Sequence, residues 1–287
     1  MRAYNRMEIE ELIAISSEIG NAIRSCISGS PDYGEIIETR ERDVTRRIDM
    51  VAERALEESL RRRDKCARII SEELGDHVYP AGGEPRFTLI FDPVDGSTNA
   101  TLGIPLFCTS IAYSPCVEKV TFDDIQASVV ETIQGRRYYA TRGGNAFVNG
   151  TRLPRAVRGK TKRVLSVYTY GADRIPSGLL QFEREAKHVV VRVLGSIAME
   201  ICLVAEGAID GLIDIRGMIR GYDIAAASLI LEEAGGIITD LQGEELRSRE
   251  LGKSGDRGIS CIAVLDRSEY YGRILKLVQD DGLMDEG

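Results

Sequence analysis

Residues 89–99 read Leu-Ile-Phe-Asp-Pro-Val-Asp-Gly-Ser-Thr-Asn. The apolar residues before Asp92 predict a buried strand, and Pro93, which lacks a backbone N–H, predicts that the strand ends there. Gly96 permits a tight turn, and the Ser, Thr and Asn that follow are common at the start of a helix. The stretch therefore predicts a turn that carries Asp92 and Asp95 into a helix N-terminus. Carboxylates bind cations and helix N-termini attract anions, so this arrangement suits a metal-bridged phosphate.

The composition is that of a soluble globular protein with a substantial core. The chain has 287 residues, 43% hydrophobic and 29% charged. No apolar run approaches the roughly 18 residues of a membrane helix, and residues 1–11 are charged, so we expect a cytoplasmic protein with no membrane partner. The net charge of −8 argues against nucleic acid as a partner. Six scattered cysteines without a C-x-x-C pair predict reduced thiols.

Two helices are expected before the central stretch. Residues 7–28 repeat apolar side chains at helical spacing. Residues 29–42 combine Gly, Ser and Pro with charged residues, which predicts a mobile loop. The second helix is expected over residues 43–63, where Asp49 by itself is interpreted as a surface acid that complements the helix dipole.

Short strands dominate the rest of the first half. Residues 68–71 predict a strand that ends in Glu72 and Glu73, and paired acids before a turn are usually solvated. Further strands are expected at residues 106–113, 125–131 and 135–141. The first half should therefore form two helices packed on a sheet rich in antiparallel pairs.

Strands and helices alternate in the second half. Strands are expected at residues 164–168, 189–194, 208–215 and 259–265, and helices at residues 177–186, 196–206, 223–234 and the C-terminal segment. A turn-rich and basic segment near residues 150–162 predicts a domain boundary. We therefore expect an N-terminal α+β domain at residues 1–155 and a C-terminal α/β domain at residues 156–287.

Several common phosphate and metal motifs are excluded. Two Gly-Lys-Thr/Ser segments, residues 159–161 and 252–254, lack the earlier glycine of a P-loop. An EF-hand loop would need a final Glu at residue 103, which is Gly. The two histidines have no partner motif for nucleophilic catalysis. Phosphatases of the haloacid dehalogenase type place their acids two apart, whereas Asp92 and Asp95 are three apart, so that class stays a weaker alternative.

The stretch from Asp92 to Asn99 resembles the signature of the inositol monophosphatase/fructose-1,6-bisphosphatase superfamily. Supporting motifs are Glu72-Glu73, Gly195-Ser-Ile-Ala, and Tyr222-Asp-Ile-Ala-Ala running into Glu233-Ala-Gly-Gly. The resemblance covers nearly the whole chain. It implies the sugar phosphatase fold, an α+β protein layered as a five-layer α-β-α-β-α sandwich. It also implies a Mg²⁺-dependent, lithium-sensitive phosphatase that is commonly a homodimer.

The resemblance also implies a set of site residues. The metal ligands, for two or three Mg²⁺ per site, would be Glu72, Asp92, the carbonyl of Val94, Asp95 and Asp223. The catalytic residues would be Asp49 and Ser97, which together polarise the attacking water, and Glu72. The backbone N–H groups of Gly96 and Ser97 would contact the phosphate. Two metals suit the reaction because they neutralise the transferring group and the leaving alkoxide together.

The substrate is less sharply indicated than the reaction. The segment Asp214–Gly221 looks like that of archaeal and bacterial members that hydrolyse both inositol 1-phosphate and fructose 1,6-bisphosphate. Candidate substrate contacts are Tyr170, Arg192, Gly195, Ser196, Arg216 and Arg220, with Tyr168 also near. The alternatives left open are a 3′-phosphoadenosine 5′-phosphate phosphatase and a non-catalytic metal-binding protein of the same fold. A further hypothesis is that the 29–42 segment acts as a lid that brings Asp32 or Asp43 near a third metal.

Overall fold

The computed structural model describes residues 7–39, 44–155, 162–169, 189–252, 258–265 and 269–280. Within these residues the helices are α1 (Ile9–Gly29), α2 (Arg47–Arg62), α3 (Ser97–Thr101), α4 (Ile197–Glu206), α5 (Gly221–Glu233) and α6 (Glu269–Asp280). Short 3₁₀ turns occur at Phe122–Asp124 and Leu246–Ser248. None of the described helices is long and apolar enough to cross a membrane.

The first half forms a hairpin and an eight-stranded sheet. The hairpin pairs β1 (Ile36–Thr39) with β2 (Val44–Arg46). The sheet strands are β3 (Ala67–Ser71), β4 (Gly75–Tyr79), β5 (Thr88–Asp95), β6 (Cys108–Ser114), β7 (Ala127–Thr132), β8 (Arg137–Thr141), β9 (Ala146–Val148) and β10 (Thr151–Arg152). Their order is β10-β9-β8-β7-β6-β5-β3-β4. Among these strands only β3 and β5 pair in parallel, so the expected antiparallel-rich sheet is confirmed.

The second half forms a five-stranded mixed sheet. Its strands are β11 (Arg163–Tyr168), β12 (Val189–Arg192), β13 (Gly211–Ile219), β14 (Ile237–Thr239) and β15 (Ile259–Val264). The order is β12-β11-β13-β15-β14, with β12, β11 and β13 parallel and β15 antiparallel to both neighbours. The two sheets lie on either side of the predicted 155/156 domain boundary, which stays a prediction.

Strand β5 shows why the layers form. Successive side chains of a strand point to opposite faces. Leu89 and Phe91 join the core beneath α1 and α2, whereas Ile90 joins the central core with α4 and α5. The apolar run before Asp92 is therefore buried on both faces. The outer face of the second sheet packs on α6 through residues such as Ile274. The layers are α1/α2, first sheet, α4/α5, second sheet and α6, and the predicted five-layer α+β fold is confirmed.

The prediction that Pro93 ends its strand was wrong. β5 continues to Asp95, and its pairing with β6 shifts register between Asp92 and Asp95. A bulge tolerates a residue without an N–H, because the ladder does not need that donor there. The Pro93 carbonyl accepts a hydrogen bond of 3.3 Å from the Thr109 hydroxyl. Both carboxylates therefore belong to a buried strand instead of a turn.

The segment expected to be a mobile loop contains a strand. Residues 36–39 form β1, and α2 begins at Arg47 because Val44–Arg46 pairs with β1. The N–H of Ile48 also donates to the Tyr33 carbonyl at 3.0 Å, which connects the residues before β1 to the start of α2. The pairing of β1 with β2 determines the conformation here, although the local composition is typical of a loop. Asp43 and the helix expected at 177–186 lie outside the described residues.

Candidate active site

Parallel pairing of β3 and β5 brings two predicted metal ligands together. Ser71 is the register partner of Phe91, so Glu72 and Asp92 follow at the same edge of the sheet. The N–H of Glu72 donates to the Phe91 carbonyl at 3.2 Å. Asp92 is buried, and its Oδ1 accepts the N–H of Val94 at 3.1 Å. Residues 20 apart in sequence therefore become neighbours.

Asp92 lies at the centre of the acidic cluster. Burial raises its pKa well above the usual range, and the negative charges of Glu72, Asp95 and Asp223 raise it further. Four carboxylates from β5, from the end of β3 and from α5 thus converge. Like charges in a buried site favour the protonated form unless a cation neutralises them.

Asp95 is held by the N-terminus of α4. Its Oδ2 accepts the Ser196 hydroxyl at 2.6 Å and the N–H of Ala198 at 2.8 Å, and its Oδ1 accepts the N–H of Ile197 at 3.0 Å. Burial raises the pKa of Asp95, and these hydrogen bonds oppose that rise. The predicted metal ligand Asp95 is therefore also the cap of a helix in the second half of the chain.

Two glycine turns contact each other beside Asp95. Gly96 has φ +96°, and a Cβ there would lie 3.0 Å from the Gly195 carbonyl oxygen. The amide nitrogen of Asn99 donates to the carbonyls of Leu194 at 2.6 Å and Leu106 at 2.7 Å. Asn99 thereby fastens the predicted phosphate-binding turn to the Leu194–Gly195 turn. Asn99 belongs to the motif recognised in the sequence, but this fastening function was not predicted.

Asp223 and Asp49 take the same position on two different helices. The Oδ2 of Asp223 accepts the N–H of Arg220 at 2.7 Å, and that of Asp49 accepts the N–H of Arg46 at 2.7 Å. Each acid thus satisfies a backbone donor at the start of its helix. Asp49 is 2% exposed, so the interpretation as a surface acid was wrong.

Two further buried acids flank Glu72 and were not predicted. Glu73, expected to be solvated, is 6% exposed and accepts the hydroxyl of Thr45. Glu53 is 1% exposed and accepts the hydroxyl of Ser71. Because Glu53 follows Asp49 by one helical turn, the two acids lie on the same face of α2. The i, i+4 spacing of Asp49 and Glu53 is the sequence signal that could have predicted a second buried acid on α2.

The predicted substrate residues differ in their burial and in their contacts with the acidic cluster. Arg216 is half-buried and pairs at 2.6 Å with Asp214, which is itself fully buried. Arg192 is exposed on β12, where its Nη1 donates to the Val191 carbonyl at 2.9 Å. Gly195 and Ser196 immediately precede α4 and lie directly beside Asp95. The structure therefore brings this last pair up to the acidic cluster, whereas the side chain of Arg192 is exposed on β12.

Other predicted residues belong to the same region or fall outside it. Ser97 is half-buried at the first position of α3, directly after Gly96. Arg220 precedes α5 and lies near Tyr222, whose pKa is raised by burial and by the charges of the acidic cluster. Tyr170 lies outside the described residues. The assignment of each residue to metal, water or substrate remains a prediction.

The donor set fits a hard cation. It consists of carboxylates and a backbone carbonyl, and Mg²⁺ prefers such oxygen ligands. Within the described part of the chain, no three acidic, histidine or cysteine side chains have the spacing of a closed ion site. Asp95 is turned toward the α4 amides, yet its Oδ1 accepts one hydrogen bond and retains a lone pair. A bound cation would reduce the repulsion between the negative charges that converge at Asp92.

Comparisons with known proteins agree with this geometry. The model of the inositol monophosphatase family matches residues 6–280. A fructose-1,6-bisphosphatase/inositol-1-monophosphatase of Thermococcus kodakarensis is 33% identical over 254 residues, 88% of this chain and 90% of that protein. A bifunctional NADP phosphatase/NAD kinase of Methanococcus maripaludis is 29% identical over 253 residues, 83% of this chain and 44% of that protein.

A solved structure extends the agreement to the fold. A hypothetical protein from Pyrococcus horikoshii, described as similar to inositol-1 monophosphatase, superposes with a TM-score of 0.71 at 27% identity. The superposition covers 96% of this chain and 99% of that one. The match of the family model over most of the chain carries the assignment. The chain belongs to the inositol monophosphatase family, and it is a phosphoric monoester hydrolase.

Proposed function

We propose that the chain is a Mg²⁺-dependent phosphatase of sugar or polyol phosphate monoesters, with inositol 1-phosphate, fructose 1,6-bisphosphate or both as substrates. The observation that carries the proposal is the convergence of Glu72, Asp95 and Asp223 on the buried carboxyl of Asp92. A buried cluster of like charges is unfavourable by itself, so its presence points to a positively charged ligand.

The acidic cluster would hold the metal. Glu72, Asp92, Asp95, Asp223 and the Val94 carbonyl provide oxygen ligands for two or three ions. Bound magnesium supplies charge neutralisation for the phosphate and the leaving alkoxide and acidifies a water molecule. Because β5 is buried along its whole length, Asp92 and Asp95 are held without large side-chain freedom. Rigid ligands of this kind keep the site geometry constant from one turnover to the next.

The phosphate and the attacking water would be held by the chain itself. The backbone N–H groups of Gly96 and Ser97 begin α3 and can donate to phosphate oxygens. The hydroxyl of Ser97 and the carboxylate of Asp49 are proposed to orient the water for in-line attack. The Asp49 carboxylate, which accepts the Arg46 N–H, would accept the water proton through Ser97.

The sugar would face residues of the second half. Gly195 and Ser196 lie against the turn proposed to hold the phosphate, and Arg216 and Arg220 follow on β13 and before α5. Arg216 is paired with the buried Asp214, so it is better suited to hydroxyl groups than to a second phosphate. Arg220, directly before the helix that carries Asp223, is the better candidate for a second phosphate. Arg192 and Tyr170 stay further candidates for contact with the sugar.

A nucleotide substrate is the second candidate. Its support is the similarity to a protein named as a bifunctional NADP phosphatase/NAD kinase. Location in the cytoplasm, assembly as a homodimer and inhibition by lithium belong to the main proposal as well. They rest on the family resemblance, and size-exclusion chromatography with light scattering would test the dimer.

A substrate panel separates these proposals. Phosphate release would be measured from inositol 1-phosphate, fructose 1,6-bisphosphate, 3′-phosphoadenosine 5′-phosphate and NADP, each with Mg²⁺, with EDTA and with added Li⁺. We expect Mg²⁺-dependent release from one or both sugar compounds and a rise in melting temperature with Mg²⁺. Release from the nucleotides alone would favour the second candidate. No Mg²⁺-dependent release from any compound would contradict both candidates.

A further inference from the structure

Tyr168 lies at the point where the two sides of the candidate site meet. It ends β11 and is 7% exposed. In the parallel pairing of β11 with β13, its register partner is Asp214. Arg216 lies two residues further along β13, and its guanidinium carbon is 4.3 Å from the centre of the Tyr168 ring. The ring therefore supports the arginine proposed to face the sugar.

The hydroxyl of Tyr168 has a different set of partners. It donates to the carboxylate of Glu200 and accepts the N–H of Gly195 at 3.1 Å. Glu200 is fully buried on α4 and also accepts the N–H groups of Leu194 at 3.0 Å and Gly195 at 3.1 Å. Burial and the Glu200 charge raise the pKa of Tyr168 far above its usual range, so the hydroxyl remains a donor.

The turn held by this hydroxyl reaches the acidic cluster directly. The carbonyl of Gly195 packs against the backbone of Gly96, and the next residue, Ser196, donates to Asp95. A shift of Gly195 would therefore move both the phosphate-binding turn and the hydroxyl that orients Asp95. The ring and the hydroxyl of one tyrosine thus contact opposite sides of the site.

We propose that Tyr168 is a positioning residue with two separable actions. Its hydroxyl, with Glu200, holds the Gly195 turn against the phosphate side, and its ring holds the Arg216 guanidinium on the sugar side. The inference rests on the proposed phosphatase function, because it assigns Tyr168 a place in that same site. It predicts that removal of the hydroxyl and removal of the ring change different kinetic quantities.

Two substitutions separate the two actions. Tyr168→Phe keeps the ring and removes the hydroxyl, so kcat should fall about tenfold, as expected for one hydrogen bond to a charged group. The fall should be equal for inositol 1-phosphate and fructose 1,6-bisphosphate. Tyr168→Leu also removes the ring, so it should additionally change the ratio of kcat/KM between these two substrates. The Phe variant keeps nearly the same volume and tests the hydroxyl even if the Leu variant folds poorly.

Tyr138→Phe is a matched control that removes a hydrogen bond to the same helix. Tyr138 is fully buried on β8, and its hydroxyl donates at 2.8 Å to Glu206, which is 1% exposed. Glu206 lies at the other end of α4 from the acidic cluster. The control should lose a comparable amount of stability and keep the wild-type kcat. An equal fall of kcat in Tyr138→Phe would show that loss of stability alone explains the effect, and would overturn the inference.

A second measurement does not depend on turnover. Hydrogen exchange at the Gly195 amide, followed by NMR, should be about tenfold faster in Tyr168→Phe and unchanged in Tyr138→Phe. Wild-type exchange at Gly195 together with a wild-type kcat in Tyr168→Phe would overturn the inference. If the wild-type chain releases no phosphate from any compound, the proposed function fails, and the exchange rates still decide whether Tyr168 holds the turn.

Discussion

Asp95 accepts a hydrogen bond of 2.6 Å from the hydroxyl of Ser196, which is 101 residues further along the chain. Both groups are buried, and the same carboxylate accepts N–H groups from the first turn of α4. The orientation of a predicted metal ligand in the first sheet is therefore set by a helix that packs between the two sheets. Disturbing either partner should consequently affect the fold and the metal site together.

Ser196→Ala should weaken both stability and activity. The substitution removes a buried hydrogen bond to a carboxylate, so the free energy of unfolding should fall by about 1.5–3 kcal/mol. Since Asp95 loses an orienting partner, half-saturation should need more Mg²⁺. Urea denaturation and Mg²⁺ titration of activity would measure these effects. Ser228→Ala is the control, because that buried hydroxyl bonds the Ile224 carbonyl of its own helix at 2.7 Å. Equal losses in both variants would contradict the prediction.

Asp92→Asn and Asp95→Asn should change the stability of the metal-free protein in opposite directions. Asn at position 92 relieves charge repulsion at the centre of the cluster, so the melting temperature in EDTA should rise above wild type. Asn at position 95 presents an NH₂ group to the donors of α4, so the melting temperature should fall. Both variants should lose turnover.

Differential scanning calorimetry with EDTA and with Mg²⁺ would measure the melting temperatures of the wild type and of the two variants. The wild type should gain stability on adding Mg²⁺, and the Asp92→Asn variant should gain little. In EDTA, the stability advantage of Asp92→Asn over wild type should grow with pH, because the raised pKa of Asp92 means that its ionisation opposes folding. A metal-free Asp92→Asn variant that is less stable than wild type at pH 8 would be inconsistent with a repulsive cluster.

Gly96→Ala should be far more harmful than Gly103→Ala. Both residues have positive φ, +96° and +71°, so both substitutions strain the backbone by about 1–2 kcal/mol. Of the two, Gly96 alone would bring the new Cβ against other atoms, since the carbonyls of Gly195 and Leu106 lie 3.0 and 3.1 Å away. The free energy of unfolding should therefore fall by about 1–3 kcal/mol more in Gly96→Ala than in Gly103→Ala. Gly96→Ala should also lose activity. Similar unfolding midpoints in urea would disprove the close approach of the two turns.

Glu53→Gln should change how stability depends on pH. Burial raises the pKa of Glu53 to about 7, and the charges of Glu73 and Glu57 add to the rise. An acid whose pKa is higher in the folded state stabilises the fold below its unfolded value, near 4.5, and that contribution is lost as pH rises toward 7. Gln does not ionise, so the Glu53→Gln variant should not lose this stability as the pH rises. Its side chain still has an oxygen that can accept the hydroxyl of Ser71.

The free energy of unfolding of the Glu53→Gln variant, relative to that of the wild type, should increase by up to about 3 kcal/mol between pH 5 and pH 8. Urea denaturation across this range would measure it. Glu58→Gln, at an exposed position of the same helix, is the control and should show no such growth. A constant difference between Glu53→Gln and wild type at all pH values would contradict the raised pKa.

Local sequence patterns were sufficient for most elements and for the identity of the motif residues. The apolar run of residues 89–91 is buried on both faces as expected, and the helix expected at 223–234 is found as α5. Such patterns succeed because periodicity and caps are properties of neighbouring residues. They failed at Pro93 and at residues 36–39, where pairing with another strand decides the conformation.

The sequence by itself determined the family motif, the order of its acids and the fold class of this protein. Only the tertiary structure decided which groups meet: Glu72 beside Asp92 through parallel strands, Asp95 against the start of α4, and Tyr168 between Arg216 and Gly195. These contacts depend on strand register and on the packing of segments far apart in the chain. A local pattern carries no information about that register, so the chemistry of the site emerges only when the two sheets are assembled around their shared helices.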